Sequence, residues 1–304
     1  PRPAILLMIK QTLLFSNRAF LSLKLNQLVI DTKSERGILT RPLEDIGLIV
    51  IETPCVTLTS ALMAELSARN IAVVICDSRH MPSGMLQPLE GNTLLSQKSR
   101  AQLAASLPLK KQLWQQTVMA KIRNQACVLR MRRQCETGCM EQWSKTVRSG
   151  DPDNFEARAA VYYWKNLFAD SGFFRGDDDN PVNSLLDYGY AILRAVIARA
   201  IVGAGLIPQC GLFHRNKFNA FCLADDVMEP YRPYVDMLVC EILSSHACSV
   251  GLTPEIKREL LGIPVLDVMI GGLRRPLMVA TSTTVASLVK CYEGSARKIL
   301  YPEI

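Results

Sequence analysis

Near residue 93 the chain changes its pattern of apolar residues, and this switch constrains the fold more than any other feature. Before it, apolar residues fall in short runs or near-alternation: Phe20-Leu-Ser-Leu-Lys-Leu, Gln27-Leu-Val-Ile, "IGLIVIET" and "IAVVICD". Such runs read as strands, with Ser16-Asn17 as a turn between two of them. "TSALMAELSARN" (59–70) predicts one helix capped by Thr59 or Ser60. "SRHMPSGMLQPLEGN" is turn-rich and reads as the loop that ends the domain. Beyond it, residues 94–106 and 109–135 lack proline and glycine and read as helices separated by a break at Pro108. The expectation is two domains: a mainly-β domain over 1–93, then a larger all-α catalytic domain over 94–304.

A chain of 304 residues, 49% hydrophobic and 21% charged, can bury two cores and is not broadly disordered. The apolar run Ala4–Ile9 is broken by Lys10 and Gln11. No later run approaches the roughly 20 residues of a membrane-spanning helix, so no membrane partner is expected. The ten cysteines sit mostly in apolar contexts and read as reduced thiols of a cytoplasmic protein. Cys135 and Cys139 lack the second pair, or nearby histidine, of a zinc site.

The net charge of +7 is unevenly spread. Residues 96–148 hold eleven basic and two acidic side chains, whereas 149–250 hold eight and thirteen. A basic block beside an acidic one suggests a polyanion held near a cation-binding cluster. A solvated basic helix face is the plainer alternative.

The acidic block contains "GLFHRNKFNAFCLADDVMEPYRP" (211–233), in which His214 precedes Asp225, Asp226 and Glu229. Upstream, Asn183 is expected to cap a helix over 184–202 that stops at Gly203 and Gly205. Downstream, Pro230 suits the first turn of a helix over 231–245, which places Glu229 at or beside its N-cap. "RGDDDNP" (175–181) reads as a polar loop. "DPDNFEARAAVYYWKNLF" (151–168) opens on a capping Asp151 and a first-turn proline. Helical spacing puts Glu156 on one face with Ala160, Tyr163 and Leu167. A buried carboxylate is costly unless it is paired or holds a cation; a plain helix-N-terminal acid is the other reading. Arg158 and Lys165, seven residues apart on the neighbouring face, can meet phosphates.

"SNRAFLSLKLNQLVI" (16–30), "NFEARAAVYYW" (154–164), "PVNSLLDYGYAILRA" (181–195) and the His214 stretch together resemble the CRISPR-associated protein 1 family. This is the DNA integrase of spacer acquisition, and the likeness is to its type II branch. The segments occur in the family's order across nearly the whole chain. The resemblance implies an N-terminal β domain that forms a homodimer and a helical catalytic domain. It also implies two such dimers flanking a dimer of the small ferredoxin-like CRISPR-associated protein 2, with other type II adaptation and effector proteins as further partners. The implied substrates are double-stranded and branched DNA. Short prespacer duplexes are inserted into the repeat array by 3′-hydroxyl attack on a phosphodiester, and attack by water gives endonuclease activity; spacing alone does not distinguish the two nucleophiles.

Carried over residue by residue, the implied metal ligands and catalytic residues are Glu156, His214 and Glu229. Many members have an aspartate at the third position. Here it is Glu229, and Asp226 three residues earlier is expected beside the ligands, with Asp225 as an alternate. One imidazole with two or three carboxylates is a hard, oxygen-rich set that favours Mg2+ or Mn2+. In the basic block Lys110, Lys121 and Arg132 share a helical face, so Lys121 and Arg132 are expected at DNA phosphates with Arg158 and Lys165. A DNA-binding structural subunit without its own catalysis remains the alternative. The basic block argues against a hydrolase of small phosphate esters.

Overall fold

The computed structural model describes residues 10–33, 37–78, 80–169, 173–177, 180–246 and 251–304. The chain divides into two compact units, 1–89 and 90–304.

Among its described residues the first unit holds eight strands: β1 (Gln11–Phe15), β2 (Ala19–Lys24), β3 (Gln27–Asp31), β4 (Ile38–Pro42), β5 (Ile46–Ile51), β6 (Val56–Leu58), β7 (Ala72–Cys76) and β8 (Pro82–Leu86). One sheet runs β4-β3-β2-β6 and the other β1-β5-β7-β8. Every residue of β5 is buried, as expected of a strand with parallel neighbours on both sides, here β1 and β7. Helix α1 (Ser60–Ala68) carries Leu62 and Leu66 into the same core as Leu21, Leu28, Ile49 and Val73. Its cap is Thr59, whose hydroxyl accepts from the Leu62 N–H at 3.3 Å. Strand β8 lies within the stretch expected to be loop; paired along one edge of β7, it is held by the ladder rather than by its own propensity.

The second unit is helical: α2 (Leu95–Ala104), α3 (Leu107–Arg133), α4 (Gly138–Thr146), α5 (Phe155–Leu167), α6 (Pro181–Gly203), α7 (Cys222–Met228), α8 (Arg232–Ser245), α9 (Pro254–Leu260) and α10 (Leu277–Tyr292). It also contains a hairpin, β9 (Asp267–Ile270) and β10 (Leu273–Pro276), turned by Gly271-Gly272, both at positive φ. The helical unit is therefore not purely α. Pro108 does not break a helix but sits in the first turn of α3, capped by Ser106. Asn180, not Asn183, caps α6; Asn183 lies one turn inside and donates to the carbonyls of Phe174 and Asp177. Two residues of "RGDDDNP", 178 and 179, lie outside the described residues. Gly189 on α6 lets α8 approach closely, since a Cβ there would stand 2.6 Å from Val235 Cγ1. Among the described residues no helix is long and apolar enough to cross a membrane.

Candidate active site

The α5 segment is prepared by a tight turn in which Gly150, Asp151 and Asn154 all adopt positive φ. Aspartate and asparagine tolerate that region better than most residues. The Asp151 carboxylate then accepts from the N–H groups of Phe155 and Glu156, both at 2.9 Å. This satisfies the first turn of α5 and fixes the backbone of Glu156. The buried face of α5 is Ala159, Tyr163 and Leu167; Ala160 is only half-buried.

Glu229 is expected at or beside the N-cap of the following helix. It lies instead inside an almost continuous helical run, where α7 passes through one 3-10 turn (Glu229–Tyr231) into α8. Its carboxylate is buried. Arg232, one turn on, lies 3.0 Å from Oε1. Burial pushes the carboxyl up, but Arg232 and Lys121 outweigh it and hold the group down at about 2.

Lys121 is the residue that joins the two acids. From the buried face of α3 its ammonium pairs with Glu156 and lies 2.6 Å from Glu229 Oε2. Glu229 Oε2 is buried and has no hydrogen bond of good alignment, so this second contact is an ion pair. Burial works against the charge on Lys121, but Glu229 and Glu156 raise its pKa.

His214 is held separately. Its Nδ1 lies 2.6 Å from Asp226 Oδ1. Asp226 is fully buried, and its carboxylate also accepts from the N–H groups of Leu212 (2.5 Å), Phe213 (3.0 Å) and His214 (3.2 Å). Burial pushes the Asp226 carboxyl up despite these donors. The imidazole is raised from 6.5 mainly by its bond to Asp226, against partial burial. Phe213 stacks on Trp114 at 4.5 Å, and the His214 ring stands edge-on to both. The ring is thus fixed through Nδ1, which leaves Nε2 as the nitrogen available to a ligand. A cavity of about 540 Å3 opens beside His214, lined also by Lys110, Arg215, Lys217 and Phe218.

The sequence-derived set is brought together in part. Glu156 and Glu229 converge on one cationic point, while His214 faces Asp226. Among the described residues no three His, Cys, Asp or Glu side chains form a ready metal cluster. The donor chemistry nonetheless fits a hard divalent ion. Two carboxylates already share a cation, for which the Lys121 ammonium stands in, and the imidazole is oriented by a carboxylate on its far nitrogen. Asp225 is committed elsewhere, to Arg194 at 2.7 Å and Asn219 at 2.6 Å.

The side chains expected at phosphates sit in different surroundings. Lys121 is buried in the site rather than exposed. Arg132 pairs with Glu241, and Arg158 lies over the rings of Trp143 and Phe155. Lys165 is exposed on α5. By charge alone Lys121 groups with the basic residues around it. Its place in the stripe Leu113, Thr117, Lys121, Asn124, Val128, all buried, was the signal that it points inward. Arg123, Lys145, Arg297 and Lys298 instead surround a separate cavity of about 890 Å3.

A family model described as CRISPR associated protein Cas1 matches residues 12–250. The chain belongs to the Cas1 family. The CRISPR-associated endonuclease Cas1 of Neisseria meningitidis serogroup C (strain 8013) is 36% identical to it, over 97% of this chain and 96% of the relative. A Cas1 endonuclease of Pyrobaculum aerophilum is 28% identical over 82% of this chain and 88% of its own length. Among solved structures, a casposase bound to an integration product superposes with a TM-score of 0.79 at 21% identity, covering 96% of this chain and 92% of the casposase. A Cas1 protein from Thermotoga maritima gives 0.75 at 18% identity, with 93% and 97% covered. These structures establish the Cas1 fold, a strand-rich unit followed by a helical one.

Proposed function

We propose that this Cas1 family member is a metal-dependent DNA endonuclease and integrase of type II CRISPR adaptation. The observation that carries the reading is the convergence of Glu156 and Glu229 on one cation position, with His214 fixed by a buried aspartate in the same unit. Glu156, Glu229 and His214 Nε2 would hold Mg2+ or Mn2+, and a bound ion would supply Lewis-acid polarisation of a phosphodiester and charge stabilisation of a leaving oxygen. In strand transfer one phosphorus–oxygen bond forms to an incoming 3′-oxygen and one breaks to the target strand's 3′-oxygen. With water as nucleophile the same exchange is cleavage. The chain's own residues bind and orient the DNA: Lys110, Arg215 and Lys217 surround the opening beside His214, and Arg123, Lys145, Arg297 and Lys298 offer a second basic surface.

The partners proposed are a second copy of the chain, the small ferredoxin-like CRISPR-associated protein 2, and double-stranded and branched DNA. Support comes from solved complexes that share this fold, one of them a Cas6-RT-Cas1–Cas2 complex with a TM-score of 0.75 at 17% identity, covering 97% of this chain and 36% of that one.

A second reading has an observation of its own. The acids are already neutralised by Lys121 and Arg232, as a DNA-binding structural subunit without catalysis would have them. Cleavage of a branched duplex with Mn2+ or Mg2+, and its loss on adding a chelator, separates the two. Glu156→Ala, His214→Ala and Glu229→Ala are each expected to abolish cleavage and joining while the fold persists by circular dichroism. Near-normal metal-dependent activity in any of them would remove that residue from the site.

A further inference from the structure

The cluster at the proposed metal position is already balanced without a metal. Lys121 and Arg232 supply two positive charges, and Glu156 and Glu229 two negative ones. The nearby Arg194–Asp225 pair is internally satisfied, and Asp226 is engaged by His214 and by three backbone N–H groups. A divalent ion entering between Glu156 and Glu229 would leave two uncompensated positive charges among side chains that are mostly buried, an expensive arrangement. Two cations cannot share one point, and Arg232 is the less mobile of the two. Its guanidinium stacks 4.5 Å over the Tyr190 ring. Among the described residues no ring packs on the Lys121 ammonium, which ends a flexible four-carbon stem and carries a compact charge. The cluster opens toward solvent on the side of Glu156, whose side chain is 28% exposed.

We propose that Lys121 is a resident competitor for the cation position, displaced onto a DNA phosphate when the divalent ion enters, so that cation loading and DNA binding favour each other. The proposal rests on the metal-dependent reading above and adds to it a residue that sets when the metal binds. In the free protein the ammonium neutralises the acids, and the ion must expel it. With DNA present, a phosphate supplies the missing negative charge and gives the ammonium somewhere to go. By linkage, DNA tightens cation binding by the same factor that the cation tightens DNA binding.

The test is a Mn2+ titration of the full chain, reading free Mn2+ by electron paramagnetic resonance, with and without a short DNA duplex and with a duplex-only control. Lys121→Gln keeps a donor to the carboxylates but removes the competing charge. It is expected to bind Mn2+ without DNA about tenfold or more tighter than the wild type. Its gain on adding DNA is expected to be smaller than the wild-type gain. Lys121→Arg, which keeps the charge, is expected to stay with the wild type. Equal affinity of Lys121→Gln and wild type without DNA, equal gains with DNA, or Lys121→Arg binding as tightly as Lys121→Gln would each overturn the proposal. A wild type that takes up no Mn2+ in either arm would overturn the metal-dependent reading itself, and this proposal with it.

A second measurement needs no variant. In the wild type, acylation of Lys121 read by mass spectrometry is expected to be slow in free protein, where its side chain is 9% exposed, and to rise as Mn2+ is added. Protection that persists at saturating Mn2+ would also overturn the proposal.

Discussion

At the scale of single residues, Asp226 does two jobs. It orients His214 and gathers three backbone N–H groups of the 212–214 loop. Asp226→Asn is expected to lower metal-dependent cleavage by about 10- to 100-fold, as is usual for partners of metal-ligating histidines. His214→Ala should be worse. The same contact predicts a pH signature. A ligating imidazole must be neutral, and Asp226 favours its protonated form, so the rate should fall as pH drops through a midpoint above 6.5. In Asp226→Asn that midpoint should move down. A pH–rate profile unchanged by the substitution would break the link between the two residues.

Glu156 and His214 stand out in the sequence only through the family motifs that contain them, because a helix-leading acid by itself reads equally as an ordinary N-terminal acid. Lys121 does not stand out, because its charge matches its neighbours on α3 and only its position in the buried stripe sets it apart. The environment of Glu229 was also hidden. Pro230 signals a helix start, yet tertiary packing lets α7 run on through a 3-10 turn that a proline can enter.

At the scale of elements, two close approaches can be tested. A Cβ on Gly211 would stand 2.5 Å from the His214 carbonyl oxygen and 2.7 Å from Asp226 Oδ2. Gly211→Ala should therefore push the His214 loop off Asp226, costing about tenfold or more in cleavage for only a modest fall in melting temperature. Activity at the wild-type level would show that the loop tolerates the shift.

Asp236 joins three helices: on α8, it accepts from Tyr163 of α5 at 2.8 Å and Tyr190 of α6 at 2.5 Å. Burial outweighs these bonds and raises the carboxyl to about 7, against an ordinary value of 3.8. The folded state thus binds this proton more tightly than the unfolded one. Its contribution is full below the ordinary value and is lost as pH rises through about 7. Melting temperatures between pH 5 and 8 should fall more steeply with pH in the wild type than in Asp236→Asn. Parallel slopes would refute the assignment. Helix existence was readable from periodicity, and so was the Thr59 cap of α1, but not the cap of α6: Asn180 and Asn183 are chemically equivalent, and only the loop before α6 chooses between them.

At the scale of the whole molecule, the strand-rich unit offers an outer face for a second copy. Phe20, Asp31 and Ile38 lie in one cross-strand row of β2, β3 and β4. Phe20 is 41% and Ile38 64% exposed, on a sheet in which β4 is an edge strand among the described residues. If this face forms the proposed homodimer, Phe20→Lys with Ile38→Lys should yield monomers by sedimentation velocity while the far-UV spectrum is kept. An unchanged sedimentation coefficient would move the interface elsewhere. The division into a strand-rich and a helical unit was legible because hydrophobic period changes from two to 3.6. The β9–β10 hairpin escaped because four-residue strands carry too little pattern to register.

Asn124, one turn beyond Lys121 on α3, donates both to the Pro230 carbonyl at 2.8 Å and to the Pro302 carbonyl at 3.0 Å, while Thr117 meets the Tyr301 hydroxyl at 2.7 Å. The helix that bears Lys121 is therefore pinned by residues almost two hundred positions later. During synthesis, α3 emerges from the ribosome early and waits for Tyr301 and Pro302 to close against it. Until they do, Thr117 lacks its Tyr301 partner and Asn124 its Pro302 one, although Pro230 is already in reach. A nascent chain can thus carry its whole strand-rich unit while α3 still waits for contacts that only residues 301 and 302 supply.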